Sequence, residues 1–336
     1  MKDRVFITGV TGQDGSILSR QFLTETSAFV YGLIRRNSAP NMWRLEDFIK
    51  DSRFEIVEGD ITDMSSLIKA FRLIKPDKIF NMAAQSHVRI SFEEPIHTSN
   101  ATGIGVLNIL EAARQAGLDK SVRIYQASSS EMFGEVLEIP QTEETPFRPQ
   151  SPYAVAKAFA HYMCRVYREA YGMFISCGIL FNHESEYRGE NFVTRKITLG
   201  LAKILTGESK YIKMGNLDAK RDWGYAPDYM KAARKMLDYR SPEDFVISTG
   251  ETRSVKEFLE IACSMAGLKP SEVYRLDERF LRPLEVNSLI GDSTKAFKIL
   301  GWSPTTSFDE MVYIMLKYDL ELVGLDASII KKSKDI

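Results

Sequence analysis

Only three of the 336 residues are cysteine (Cys164, Cys177 and Cys263), too few and too scattered to frame a disulfide-stapled fold or a zinc site. Four histidines, with none of the carboxylate–histidine spacings of metal ligands, point away from a metal centre as well. Long apolar runs are missing: the run at 174–181 is short and broken by Ser176, far from the ~20 residues that cross a bilayer. No charge of either sign dominates, since Lys+Arg 44 against Asp+Glu 45 leaves −1, which excludes bulk attraction to nucleic acid or to an anionic membrane. The first residues, Met1-Lys2-Asp3-Arg4, run directly into an apolar strand without the hydrophobic stretch of an export signal. These absences predict a soluble, cytoplasmic protein that holds no metal and engages neither nucleic acid nor membrane. What is present is an ordinary globular composition, 44% hydrophobic and 26% charged, and a length that allows roughly two domains.

The first half alternates short apolar runs, at 5–7, 29–34, 54–57, 78–82, 122–127 and 175–181, with helical patterns of useful length. That alternation predicts βαβ units on a parallel sheet, a Rossmann-type doubly wound α/β fold. After about residue 182 the alternation loosens and turn signals multiply, as at 207–209, 215–216, 269–270 and 282–283. A smaller mixed α/β part lying over the carboxyl ends of the strands is expected there. The division predicted is 1–182 for a dinucleotide-binding domain completed by parts of the later chain, 183–330 mainly for substrate, and 331–336 as a tail.

Gly9, Gly12 and Gly15 stand between the first strand and the first helix. Glycine there permits a positive φ, lets backbone approach a pyrophosphate and brings helix close to strand. The helix N-terminus then offers free N–H groups to phosphate. An NAD site usually carries Asp or Glu at the end of the second strand. This chain has Leu33-Ile34-Arg35-Arg36-Asn37-Ser38 instead, and arginine there suits a 2′-phosphate, so NADP is the expected cofactor. Asp60, ending the third strand, is placed either to accept from the adenine amino group or to form a turn.

Tyr153 and Lys157 are spaced i, i+4 on a helix that Ser151 caps and Pro152 opens. That spacing puts both side chains on one face, where an ammonium lowers the phenol's pKa from about 10 toward the range of a base. Ser128-Ser129-Ser130 supplies a hydroxyl at the end of an intervening strand, and Glu131 follows. A reductase or epimerase needs no further acid, whereas a carboxylate in that pocket permits proton abstraction beside a carbonyl and then elimination.

The glycine loop, the serines and the Tyr–Lys pair together resemble the extended short-chain dehydrogenase/reductase class along nearly the whole chain. Longer blocks narrow the resemblance: Thr8-Gly9-Val10-Thr11-Gly12-Gln13-Asp14-Gly15-Ser16, Ala84-Gln85-Ser86-His87-Val88, Ser129-Ser130-Glu131-Met132-Phe133-Gly134, 178–185, 191–196 and 215–224. The chain thereby resembles the GDP-mannose 4,6-dehydratase family. Sibling dTDP-glucose and UDP-sugar dehydratases typically carry Asp-Glu where Ser130-Glu131 stands. The resemblance implies that Tyr153 takes the proton of the sugar 4-hydroxyl, Ser129 hydrogen-bonds that oxygen, Lys157 holds the cofactor ribose and Glu131 takes the C5 proton as water leaves C6. The implied product is GDP-4-keto-6-deoxymannose, with NADP regenerated. Cofactor contacts are implied for Gly9, Thr11, Gly12, Gln13, Asp14, Gly15, Arg35, Arg36, Ser38, Asp60, Ile61, Ala84, Ser86, Tyr153, Lys157, His183 and Arg188. Substrate contacts are implied for Ser86, Ser129, Glu131, Asn182, Lys196, Arg221, Arg282 and Glu285, the three cations suiting a diphosphate and Glu285 the amino edge of guanine. A homodimer or homotetramer is implied too. The chain departs from the family at Ser129, more usually threonine, at His97, often tyrosine, and at Glu186-Tyr187.

Other residues read as packing: Cys164 and Cys177 as small core residues, and Met311, Val312 and Met315 as one buried helix face. Trp223 suits either a base-stacking or a packing role. Three alternatives stay open at this point: a dehydratase of another GDP-hexose, a 4-reductase or epimerase of the same fold, and a non-catalytic NADP-binding protein.

Overall fold

A computed structural model describes residues 2–39, 41–280, 284, 286 and 288–331. Six strands of the first half match the apolar runs: β1 (Arg4–Thr8), β2 (Phe29–Ile34), β3 (Phe54–Glu58), β4 (Lys78–Asn81), β5 (Arg123–Ser129) and β6 (Phe174–Leu180). The later chain adds β7 (Asn182–Glu184), β8 (Ile212–Met214), β9 (Lys220–Tyr225), β10 (Phe245–Ile247), β11 (Thr252–Ser254) and β12 (Tyr274–Leu276). One sheet has the order β10-β6-β5-β4-β1-β2-β3, and every pairing in it is parallel. Its seventh strand thus comes from the later chain.

Both faces of this sheet are covered, because its strands are apolar on both sides. Val5 and Ile7 point to one face, where they meet Ile17, Leu18 and Phe22 of the Gln13–Glu25 helix and Met230 of the Ala226–Asp238 helix. Phe6 points to the other and packs with Phe71, Leu110 and Cys164 from three further helices. A separate core in the later chain gathers Trp223, Phe258, Met311, Val312 and Met315. There β9 lies between β7 and β11, and β8 pairs with β12.

The helix that carries Tyr153 runs over Pro152–Tyr171. Ser151 Oγ accepts from Ala154 N at 3.1 Å, Pro152 occupies the first turn, and Gly172 closes the end at φ 60°. The helical segment that leads up to residue 115 is irregular at its start. Short helices at Val88–Glu93 and Pro95–Thr98 lead into a wide π-helical stretch, Ser99–Ile104, before the regular Gly105–Gln115 helix. Gly103 lies against the backbone of Ala156, so the irregular stretch packs directly on the Tyr153 helix.

Candidate active site

The carboxyl ends of the parallel strands open into a cavity of about 1510 Å³, closed on the far side by residues of the later chain. That volume exceeds the few hundred to about 1,000 Å³ that one drug-sized ligand needs, so it has room for two ligands side by side.

At one end sits the glycine-rich turn. Gly9 has φ +66°, and a Cβ there would lie 2.8 Å from Ala83 N; a Cβ on Gly15 would lie 2.4 Å from the Gly9 carbonyl oxygen. The close strand–helix contact therefore exists because no side chain stands between. Thr11, Gly12, Gln13, Asp14 and Gly15 line the cavity, as do Arg35, Asp60, Ile61, Ala84 and Ser86. Arg36 and Ser38 are exposed beyond the lining. Asp60 Oδ1 accepts from both Thr62 N and Thr62 Oγ1 at 2.8 Å, so the carboxylate closes a turn at the cavity wall.

Asp14 and Gln13 are committed within the protein. His183 Nε2 lies 3.0 Å from Asp14 Oδ2, and its Nδ1 is 2.7 Å from the Phe181 carbonyl. Burial alone would raise the Asp14 pKa, but the His183 charge and hydrogen bond outweigh it and hold the carboxyl far below the usual range. The same pair raises His183 against burial, favouring the imidazolium. Gln13 donates to the His183 carbonyl and accepts from Ser185 Oγ, tying the glycine turn to the segment after β6.

In the middle of the cavity lie Ser129, Glu131, Tyr153 and Lys157, all buried, at the end of β5 and on the adjacent helix. Ser129 Oγ accepts from Glu131 N at 3.2 Å and so starts the turn that carries the carboxylate. The expected depression of the Tyr153 pKa by Lys157 is corrected here. Burial drives the phenol up to about 12; the Ser129 hydrogen bond and Arg188 pull it back, and Glu131 pushes it further up. Lys157 Nζ stands 5.8 Å from the Tyr153 ring centre and donates to the Ala127 carbonyl at 2.6 Å. Burial brings Lys157 itself down to about 8. The i, i+4 spacing puts the two on one face, and desolvation sets the direction of both shifts.

The far end is cationic. Lys196 Nζ sits 3.3 Å from the Phe280 ring centre, and burial lowers its pKa. Arg221 is buried, donates to the Val286 carbonyl at 2.8 Å and has its Nε 3.9 Å from Glu131 Oε1. Arg188 lies 3.0 Å from Glu184 Oε2 and stacks 3.6 Å over the Phe192 ring. Asn182 lines the same space, and Arg89, not singled out from the sequence, joins it beside Lys196. Its signal was positional, since it directly follows the 84–88 block. Arg282 and Glu285 lie outside the described residues. Trp223 is packed between Phe258 and Phe308, stacked 5.9 Å from the latter, so it belongs to the core. His87 caps the helix that begins at Val88, and among the described residues no group of three or more His, Cys, Asp or Glu is arranged for a metal ion. No helix among them is long and apolar enough to cross a membrane.

A doubly wound parallel sheet, a glycine turn at its first strand and a buried Ser–Tyr–Lys set at its carboxyl edge define an extended short-chain dehydrogenase/reductase. Solved structures of this class superpose on the chain: a dTDP-glucose 4,6-dehydratase from Streptomyces venezuelae has TM-score 0.85 at 25% identity, covering 97% of this chain and 99% of that one. The Pseudomonas aeruginosa protein RMD, solved with NADPH, has TM-score 0.78 at 20% identity, covering 95% and 100%. The family model described as GDP-mannose 4,6 dehydratase matches residues 6–315. The Drosophila melanogaster GDP-mannose 4,6 dehydratase is 46% identical, over 96% of this chain and 87% of its own length. The human enzyme is 46% identical (94% and 91%), and the Vibrio cholerae enzyme 44% (96% and 95%). The chain belongs to the GDP-mannose 4,6-dehydratase family.

Proposed function

We propose that this enzyme, a dehydratase of GDP-mannose, eliminates water through a Tyr153–Ser129–Glu131 proton route with NADP held throughout the cycle. The fit of a dinucleotide is supported by the cradle at Gly9 and Gly15 that a Cβ would fill and by the helix N-terminus behind it. Gly9 to Gly15, Ile61, Ala84, Ser86 and Lys157 are the residues that would hold it, and Arg35, with no carboxylate at the end of β2, supports NADP over NAD. When bound, the cofactor would supply a reversible hydride acceptor for C4 and donor for C6, so that the reaction would be redox-neutral overall.

The chain's own groups handle the protons. Tyr153, which burial leaves protonated at rest, has to be in its phenolate form beside the Lys157 ammonium to accept the 4-hydroxyl proton, while Ser129 holds that oxygen. The resulting 4-keto group acidifies C5; Glu131 takes the C5 proton and gives it to the departing C6 hydroxyl, which leaves as water, and the proton held on Tyr153 returns to C5 as C6 is reduced. Lys196 and Arg221, with Asn182 and Arg89 beside them, are proposed to hold the nucleotide sugar, and Arg188 to bridge toward the cofactor. We read 1–182 with β10 as the cofactor half and 183–330 mainly as the nucleotide-sugar half. The Tyr153 helix also carries Val155, Phe159, Tyr162 and Val166 on an outer face, 39–54% exposed, and that apolar stripe supports a homo-oligomer. The buried free thiols Cys164 and Cys177 suit a reducing, cytoplasmic setting.

The observation that carries the lyase reading is Glu131, buried in the same cavity as Ser129 and Tyr153. Glu131→Gln keeps size and hydrogen-bonding reach but cannot take a proton. With GDP-mannose it is expected to accumulate NADPH and to form 6-deoxy product about 10²–10⁴-fold more slowly. Tyr153→Phe is expected to abolish the NADPH signal itself. Normal turnover by Glu131→Gln refutes the route and favours a reductase or epimerase.

A further inference from the structure

Ser128, which directly precedes Ser129, is hydrogen-bonded through Oγ to His161 Nδ1 at 3.0 Å, and both residues are buried. His161 lies one helical turn beyond Lys157 and two beyond Tyr153, so these three share a helix face. Three successive residues at the end of β5 are thereby fastened to that face: Ala127 accepts from Lys157 Nζ, Ser128 bonds His161, and Ser129 bonds the Tyr153 hydroxyl. The first and third bonds involve groups of the proposed chemistry and must change during a cycle. The middle one does not.

His161 is itself held from behind. Its Nε2 lies 3.8 Å from Asp244 Oδ2, and Phe147 meets its ring edge-on with centroids 5.1 Å apart. Asp244 in turn accepts from Arg168 on the same helix and from Cys177 N on β6 at 3.2 Å. Cys177 is hydrogen-bonded to the ring as well, and in this setting Nδ1 faces Ser128.

Resting on the reading that Ser129 and Tyr153 act on the sugar 4-hydroxyl, we propose that His161 is a positioning residue for that reaction: its bond to Ser128 fixes the register between the strand that ends in Ser129 and the helix that carries Tyr153. A shift of about 1 Å between those two oxygens is enough to cost up to 100-fold in rate.

The test measures C4 oxidation of GDP-mannose, read as transient NADPH formation in a single turnover, in His161→Phe, His161→Asn, Ser128→Ala and the Ser128→Ala/His161→Phe pair. Phenylalanine keeps the ring and removes the hydrogen bond, whereas asparagine places an amide oxygen near the position of Nδ1. His161→Phe and Ser128→Ala are each expected to slow oxidation about tenfold or more, with KM for GDP-mannose unchanged. His161→Asn should recover most of the rate, and the double variant should be no slower than the slower single variant. Wild-type rates in either single variant overturn the proposal; so does a loss in His161→Asn as large as in His161→Phe, or losses that multiply in the double variant. Should His161→Phe fail to fold, Ser128→Ala and His161→Asn carry the test alone. Turnover by the wild type and its loss in Tyr153→Phe check the underlying reading separately.

Discussion

At the scale of single residues, burial sets the resting charges of the Tyr–Lys pair. Lys157 has its ammonium in a desolvated niche with one carbonyl partner, and its pKa falls from 10.5 to about 8. Between about pH 8 and 10.5 the unfolded chain still holds a proton that the folded protein has released. Stability of the cofactor-free protein therefore gains a term that rises with pH through this window and is absent below it. In Lys157→Met that rise should be missing, and urea midpoints of the two proteins from pH 7 to 10 should converge as pH increases. A constant gap between them would contradict the assigned burial cost. At the cofactor end, Arg35→Asp exchanges a cation at the cavity edge for an anion. It should weaken NADP binding by about 1–3 kcal/mol and leave NAD less affected, as equilibrium titration of both dinucleotides will report.

Elements are where sequence pattern and structure agree best. The six strands from β1 to β6 were readable because each is a short apolar run between helical segments, and parallel strands buried on both faces require that composition. The Tyr153 helix was readable for a different reason: its cap, its opening proline and its Tyr–Lys pair are all local in sequence. The strands of the later chain were not. β7, β8, β10, β11 and β12 have three residues each, too short for periodicity to register, and β10 joins the main sheet by pairing with β6, nearly seventy residues away in sequence. The site divides likewise. Gly9, Gly15, Tyr153 and Lys157 announce themselves by spacing, while the commitments of Asp14 to His183 and of Asp60 to Thr62 needed coordinates. The glycine turn also makes a sharp claim about its own substitution. In Gly15→Ala the new methyl meets the Gly9 carbonyl oxygen and the Val10 Cα, both backbone, so the helix must move off the strand. A cost of about 1–3 kcal/mol in stability is expected, together with loss of bound dinucleotide from the purified protein. A variant that melts like the wild type and retains full dinucleotide would show that the turn tolerates a side chain.

On the scale of the whole molecule, catalysis requires the later chain to be held against the carboxyl edge of the main sheet, and Asp222 is central to that hold. It sits on β9 between Arg221 and Trp223, fully buried, and accepts hydrogen bonds from Thr249 N at 2.8 Å, Thr249 Oγ1 at 2.6 Å, Gly250 N at 2.9 Å and Gly291 N at 3.3 Å. Three of those four donors belong to Thr249 and Gly250, one residue beyond β10, so one carboxylate links the three-stranded sheet to the end of the seven-stranded one. None of its partners is near it in sequence, which is why nothing in the 215–224 block distinguished Asp222 from its neighbours. In Asp222→Ala the N–H groups of Thr249, Gly250 and Gly291 lose their acceptor; that of Gly291 is buried, so it bears most of the cost, about 1–3 kcal/mol before relaxation. The cofactor cradle lies at the other end of the cavity and is built from β1 and its glycine turn. The variant should therefore keep its dinucleotide while Arg221, one residue from the break, loses its setting. KM for GDP-mannose should rise at least about tenfold and the melting temperature should fall. Loss of the dinucleotide with an unchanged KM would place the effect of Asp222 in the cofactor half instead.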